Sequence, residues 1–334
     1  MPNSPRVPNA AASSRRWRDL ALLAGLFLLL AIGLGALVSS TGWDETKAAV
    51  ARLSILQIVI LLALSLVNYL GRSLRWHLFA RKLGLAIGFP VNALHFLGGF
   101  AMSVTPGRVG ELVRMRWIRR QSGWSFDRTA PLALIDRAAD LGALALLLAI
   151  SAALSAGGIA GGAPVAVLGL LGAYIATRPA LLKALGDGLF RLSGRRFPRL
   201  FARVRRAARS LGVFRGGGAL AAGLIGVASW FAEGYAFYLL LTWMGAEVEM
   251  WVAVGIFIFA TLAGGLTGAP GGLGGAEAAM VALLALRGVP LEIAVPATLI
   301  IRVTTLWFAL LIGIVVFPIA EKHSKKAEDA LERH

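Results

Sequence analysis

Pro106-Gly107-Arg108-Val109-Gly110-Glu111 and Pro270-Gly271-Gly272-Leu273-Gly274, the second with Glu277 close behind, are two copies of one phrase in a chain of 334 residues. Each copy interrupts an apolar segment too short to be comfortable as a spanning helix. Each is followed by an apolar helix carrying an arginine, Arg137 or Arg302, at nearly the same offset. Proline lacks the amide hydrogen that would continue a helix, and Gly107, Gly271 and Gly272 permit positive φ, so the chain is able to reverse inside a membrane at both places. Broken hydrophobic segments in matching positions of two halves are the sequence mark of a membrane transport site.

Composition agrees. With 57% hydrophobic and 15% charged residues and a mean hydropathy of +0.74, the chain lies far outside the range of a soluble domain. The formal charge of +17 falls between apolar spans, so it reflects loops held at an anionic cytoplasmic face and not a nucleic-acid partner. Cysteine is absent, and His77, His95, His323 and His334 are scattered without ligand spacing. No metal site, no cofactor and no enzymatic centre are expected, because a nucleophile with its base, or a metal cluster, is missing. The phrase fits neither GxxxxGK[ST] nor a strand-borne GxGxxG, which disfavours nucleotide chemistry.

Charge placement then orders the chain. A cytoplasmic tail (1–19) with Arg15, Arg16 and Arg18 leads into a first span at 20–38, whose long apolar run reads as a retained helix and not a signal peptide, followed by an outer loop to residue 53. Residues 54–74 return to Arg72, Arg75, Arg81 and Lys82, inside. From Pro90 to Val104 the chain is apolar for only about 15 residues, about 22 Å of helix against a hydrocarbon core of about 30 Å. It then runs to Arg114, Arg116, Arg119 and Arg120, read as a solvated cytoplasmic face, so this segment enters and leaves by one side. Residues 131–154 cross outward to the glycine-rich stretch Ser155–Ala163, and 164–177 return to a basic loop with eleven Lys or Arg between Arg178 and Arg215, suited to anionic headgroups. The second half repeats the pattern upside down: span 217–241, a short piece 251–266, the phrase, 274–286, and span 293–317, with a cytoplasmic tail at 318–334.

The expected fold is therefore an all-α polytopic membrane protein of about six transmembrane helices plus two re-entrant helical hairpins in an inverted-topology repeat, 54–154 and 217–317, joined by 155–216. Pairs of short tilted full spans in place of each hairpin preserve the same end locations. The N- and C-termini are expected in the cytoplasm of a bacterial or archaeal cell, the protein in its inner membrane.

The chemistry lies in ionisable residues within these spans, each costing about 2.5 to 3.5 kcal/mol near the bilayer centre unless it faces a cavity or a partner. Arg302, Glu233 and Glu277 qualify in the second half. Arg108, Glu111 and Arg114, three apart on one helical face, with Asp136, Arg137 and Asp140 on the next span, qualify in the first. Asn68 holds the place of Glu233. Half-helix N-termini favour anions, and arginine clamps phosphate with two hydrogen bonds. The expected substrate site is Arg108, Glu111, Asp136, Arg137, Glu233, Glu277 and Arg302, with turns at Pro106, Gly107, Pro270, Gly271 and Gly272. Internal ion pairs that merely staple helices are the alternative for the same charges.

Thr105-Pro106-Gly107-Arg108-Val109-Gly110-Glu111, Asp136-Arg137, and Pro270-Gly271-Gly272-Leu273-Gly274 with Glu277, then Gly288-Val289-Pro290 and Arg302, closely resemble the lysylphosphatidylglycerol synthase transmembrane-region family, also called flippase-like integral membrane proteins. The resemblance runs from about residue 54 to 317. In its best-known members this membrane part moves an aminoacylated phospholipid between leaflets while a separate soluble domain makes it, and only 17 residues follow Phe317 here. It thus implies a stand-alone lipid flippase, not a synthase, whose partner is a membrane lipid, anionic or zwitterionic and phosphate-bearing, with arginines on the phosphate. The acids Glu111, Glu233 and Glu277 would neutralise those arginines when the site is empty, or meet a cationic headgroup or proton. The competing classes are a small-solute or ion secondary transporter, an accessory protein of lipid biosynthesis and a membrane-embedded lipid-modifying enzyme. No nucleic acid and no soluble partner are expected; headgroup, energy source and oligomeric state are not legible.

Overall fold

The structure, a computed structural model, describes residues 51, 53–103, 105, 110–155, 162–192, 217–331 and 333. The expected first span at 20–38, the turn Pro106–Val109 with Arg108, the loop at 156–161 and the basic stretch at 193–216 lie outside the described residues. What is described is helical, without a strand. In chain order the helices are α1 (Ile55–Lys82), α2 (Phe89–Gly98, extended by a 3₁₀ turn at Gly99–Met102), α3 (Gly110–Ser122), α4 (Phe126–Leu154), α5 (Gly162–Thr177), α6 (Pro179–Leu192), α7 (Gly217–Trp243), α8 (Met250–Leu266), α9 (Gly275–Leu286), α10 (Leu291–Arg302) and α11 (Phe308–Leu331). Among the described residues, three helical runs are long and apolar enough to cross a membrane: Ile55–Lys82, Leu220–Trp243 and Leu291–Leu331.

Local sequence explains the boundaries that matter. Ser54 caps α1: its hydroxyl accepts from the Gln57 amide at 3.2 Å while Gln57 Oε1 accepts from the Ser54 amide at 2.8 Å, a reciprocal box that fixes where the span begins. Ile55, Leu56, Val59 and Val67 of α1 face outward, whereas Asn68, Arg75 and Trp76 on its other side are buried. Exposed aliphatic and enclosed polar faces are what a lipid-embedded helix requires. At the second phrase Gly271, Gly272 and Gly274 take φ of 63°, 68° and 80°, conformations costly for any residue with a Cβ. Gly272 there lies against Gly264 so closely that a Cβ on Gly264 would meet the Ala276 side chain at 2.8 Å and the Gly272 carbonyl at 3.0 Å.

The final helix extends beyond its expected end at 317. α10, a π turn at Val303–Trp307 and α11 form one continuous run to Leu331, so the expected tail is largely a helical extension. The π turn follows directly on Arg302. Such bulges cluster at functional sites because they re-aim side chains and free carbonyls. Here the Tyr69 hydroxyl, from α1, donates to the carbonyl of Thr305.

Packing is reciprocal between halves. α1 lies along α7, α2 and α3 pack on α11, and α8 packs on α4. The broken segment of each half thus rests on the last helix of the other.

Candidate functional site

A cavity of about 570 Å³ lies where these elements converge, walled by α1, the 3₁₀ turn after α2, and α3, α4, α7, α8 and α10. Its charged lining is Arg72, Glu111, Arg114, Arg137, Asp140, Glu233 and Arg302. Four of the seven expected site residues, Glu111, Arg137, Glu233 and Arg302, thus share one space. Glu277 and Asp136 stand behind the wall, each bonded to an arginine, and Arg108 lies outside the described residues.

The two phrases build equivalent ion pairs. Glu111, in the first turn of α3, pairs with Arg137 of α4. Glu277, in the first turn of α9, accepts from Arg302 Nε at 2.5 Å, and Arg302 Nη2 donates to the carbonyl of Gly271 at 2.8 Å. Both acids occupy the positive end of a short helix, the position a macrodipole favours for a carboxylate. Each of these helix ends thus carries one of the protein's own glutamates in its first turn, and Arg137 and Arg302 present guanidinium groups to the cavity.

Beside the first pair is a denser network. Arg72 and Arg75, three apart on α1, meet Asp136 and Asp140, four apart on α4; both spacings keep the pair on one helical face. Arg75 Nη2 reaches Asp136 Oδ1 and Asp140 Oδ1, each at 2.7 Å, Arg72 Nη2 reaches Asp140 Oδ2 at 2.8 Å, and Trp230 Nε1 donates to Asp140 Oδ1 at 3.0 Å. The Arg72 guanidinium also lies 4.7 Å from the Trp230 ring centre. Asp136 is consequently a tether for Arg75 and not a cavity residue. This corrects its place in the expected site.

Arg114 corrects a second expectation. It is not on a solvated face: it is 4% exposed, with its guanidinium 4.0 Å from the ring centre of Phe96. Among the described residues it has no ion pair, and its Nε and Nη1 have no hydrogen-bond partner. Its neighbour Arg119 is exposed, while Arg116 and Arg120 bond Glu321 of α11 at 2.7 and 2.8 Å. The sequence reading passed over Arg72 and Arg75 as topology markers; the matched spacings with Asp136 and Asp140 are the signal that finds them. Tyr69 and the π turn leave no such signal. No group of His, Asp and Glu able to hold a metal occurs among the described residues.

The family described as "Lysylphosphatidylglycerol synthase TM region" matches residues 19–313. The chain belongs to this family. Its apolar helices make it a multi-pass membrane protein. Two "UPF0104 membrane protein" sequences of Methanothermobacter thermautotrophicus are similar in part: one is 30% identical over 89 residues, 27% of this chain and 26% of the relative. The other is 31% identical over 90 residues, 27% of each. The chain thus matches about a quarter of the length of these relatives. Within the family's matched range fall every cavity-lining charge and both phrases.

Proposed function

We propose that this membrane protein is a lipid transporter of flippase type, carrying a phosphate-bearing lipid between leaflets of a cytoplasmic membrane without covalent chemistry. The observation that carries the reading is Arg114: a buried guanidinium with no acid partner among the described residues, lining a cavity already rimmed by Arg72, Arg137 and Arg302. A desolvated cation left unpaired is costly, and a phosphate supplies the missing charge and a bidentate acceptor. The volume suits a headgroup. Two lining residues, Leu168 and Leu266, are 67% and 82% exposed, so the cavity reaches the apolar outer surface between α5 and α8. Acyl chains can stay in the bilayer while the headgroup is held, which favours a lipid over a small solute.

The two phrases are read as re-entrant hairpins of an inverted repeat within six spans, with both termini cytoplasmic. Supporting this are the equivalent pairs Glu111–Arg137 and Glu277–Arg302 and the reciprocal packing of each broken segment on the other half's last helix. α3 and α9 have 13 and 12 residues, about 20 Å and 18 Å of helix, short of the hydrocarbon thickness.

The test is reconstitution into vesicles containing fluorescent phosphatidylglycerol, with leaflet exposure followed by quenching from outside. The native chain is expected to equilibrate the label; Arg114→Met and Arg137→Met slow it about 10–100-fold, the worth of a charged hydrogen bond. Equal rates for native and both variants overturn the site.

A further inference from the structure

Most charges of the site are paired among the described residues. Arg72 is taken by Asp140, Arg75 by Asp136, Arg137 by Glu111 and Arg302 by Glu277. Among the described residues that line the cavity, one cation and one acid remain, Arg114 and Glu233. Glu233, on α7, is 5% exposed and has no hydrogen bond or ion pair among the described residues. The titratable and charged groups lining the cavity with it are Tyr69 and Arg72 from α1, Glu111 and Arg114 from α3, Arg137 and Asp140 from α4 and Arg302 from α10; α8 offers no ionisable side chain. Every arginine in that set except Arg114 is already paired, and the Tyr69 hydroxyl donates its hydrogen bond to the Thr305 carbonyl.

We propose that Glu233 is a proton-binding site coupled to the phosphate site at Arg114, so that lipid and proton occupy the cavity together. The inference rests on the reading of the cavity as a phosphate site. In the empty cavity no ion pair joins Arg114 and Glu233, but the two line one enclosed space and the ionised carboxylate offsets the guanidinium in its net charge. A phosphodiester on Arg114 uses that charge, and a carboxylate left in the same enclosed space has no counter-ion. Uptake of one proton from water converts Glu233 to its neutral acid and restores balance. Release of the lipid on the other side frees Arg114 and returns the proton there. A proton gradient is thereby linked to the direction of lipid movement.

The experiment uses short-chain dihexanoyl phosphatidylglycerol, whose phosphodiester does not titrate near neutrality, added to the full chain in detergent with a pH-indicator dye and minimal buffer. Binding is measured in parallel by calorimetry. The native chain is expected to take up about one proton per lipid bound, with affinity falling up to about tenfold per pH unit where the empty site is ionised. In Glu233→Gln the uptake per lipid bound falls to zero and the affinity loses its pH dependence. Binding by the native chain without proton uptake and with pH-independent affinity overturns the coupling and leaves the phosphate site standing. No binding by the native chain removes the phosphate site and the coupling with it. Should Glu233→Gln fail to fold, the native uptake and pH profile decide alone.

Discussion

The two halves build the same ion pair in different surroundings. Glu277 and Arg302 have side chains only 6% and 8% exposed, while Glu111 and Arg137 are 22% and 33% exposed. The cause lies in the short helix after each phrase. α9 is apolar apart from Glu277, and its turn is sealed by the approach of Gly264 to Gly272. α3 carries Arg114, Arg116, Arg119 and Arg120 after Glu111, and Arg116 and Arg120 tie it to Glu321 in the polar C-terminal part of α11. One half supplies a closed, rigid pair; the other supplies a looser pair with an extra cation beside it. The second pair is enclosed, and the first is open to the cavity.

The sharpest way to break that contrast is to cut each pair. Arg302→Met strands Glu277 in an enclosed site and is expected to cost about 3–5 kcal/mol of stability, whereas Arg137→Met costs about 1 kcal/mol or less because its partner reaches the cavity. Thermal unfolding in detergent compares them, and equal losses would erase the distinction. Next is Arg114→Met. It removes an unpaired buried charge, so unfolding temperature should hold or rise, while labelled-lipid exchange falls about 10–100-fold. A parallel loss of both would make Arg114 a structural residue. Gly264→Ala forces a Cβ onto Ala276 and is expected to destabilise by about 1–3 kcal/mol. Gly223→Ala, where a Cβ meets nothing within 4 Å, is the control and gains up to about 1 kcal/mol from helix propensity.

The smallest effect concerns the clasp between α3 and the polar C-terminal part of α11. Burial works to raise the Glu321 carboxyl, but hydrogen bonds from Trp117 and Arg120 and the charges of Arg116 and Arg120 outweigh it and hold the group down at about 2. A depressed folded value contributes stability above the ordinary carboxylate range of about 4.3 and loses it as pH falls toward about 2. Glu321→Gln should therefore cost about 1 kcal/mol near neutrality and flatten the acid limb of the stability profile between those values. An unchanged acid limb would show that α3 is held elsewhere.

Much of this was legible in the residues. The duplicated phrase drew attention to Glu111, Arg137, Glu277 and Arg302, which stand at similar offsets from a helix-breaking turn and form two ion pairs. The left-handed turn at Gly271 and Gly272 followed from steric freedom alone. Arg114 was misread because a run of four arginines ending near the cytoplasm looks uniformly solvated, and only the helical face separates the buried one from Arg119. Asp136 looked like a cavity residue because sequence places it beside Arg137 but does not reveal that Arg75, 61 residues away, claims it. The π turn after Arg302 and the Tyr69 bond to Thr305 arise from packing between halves, which no local pattern encodes.

The central claim is that Arg114 and its neighbouring arginines hold a lipid phosphate. Native mass spectrometry of the chain released from micelles containing equal phosphatidylglycerol and diacylglycerol tests it directly. The account predicts that the native chain retains phosphatidylglycerol in preference to diacylglycerol and that Arg114→Met loses the preference while staying folded. Equal retention of the two lipids by the native chain, or an undiminished preference in Arg114→Met, would contradict it.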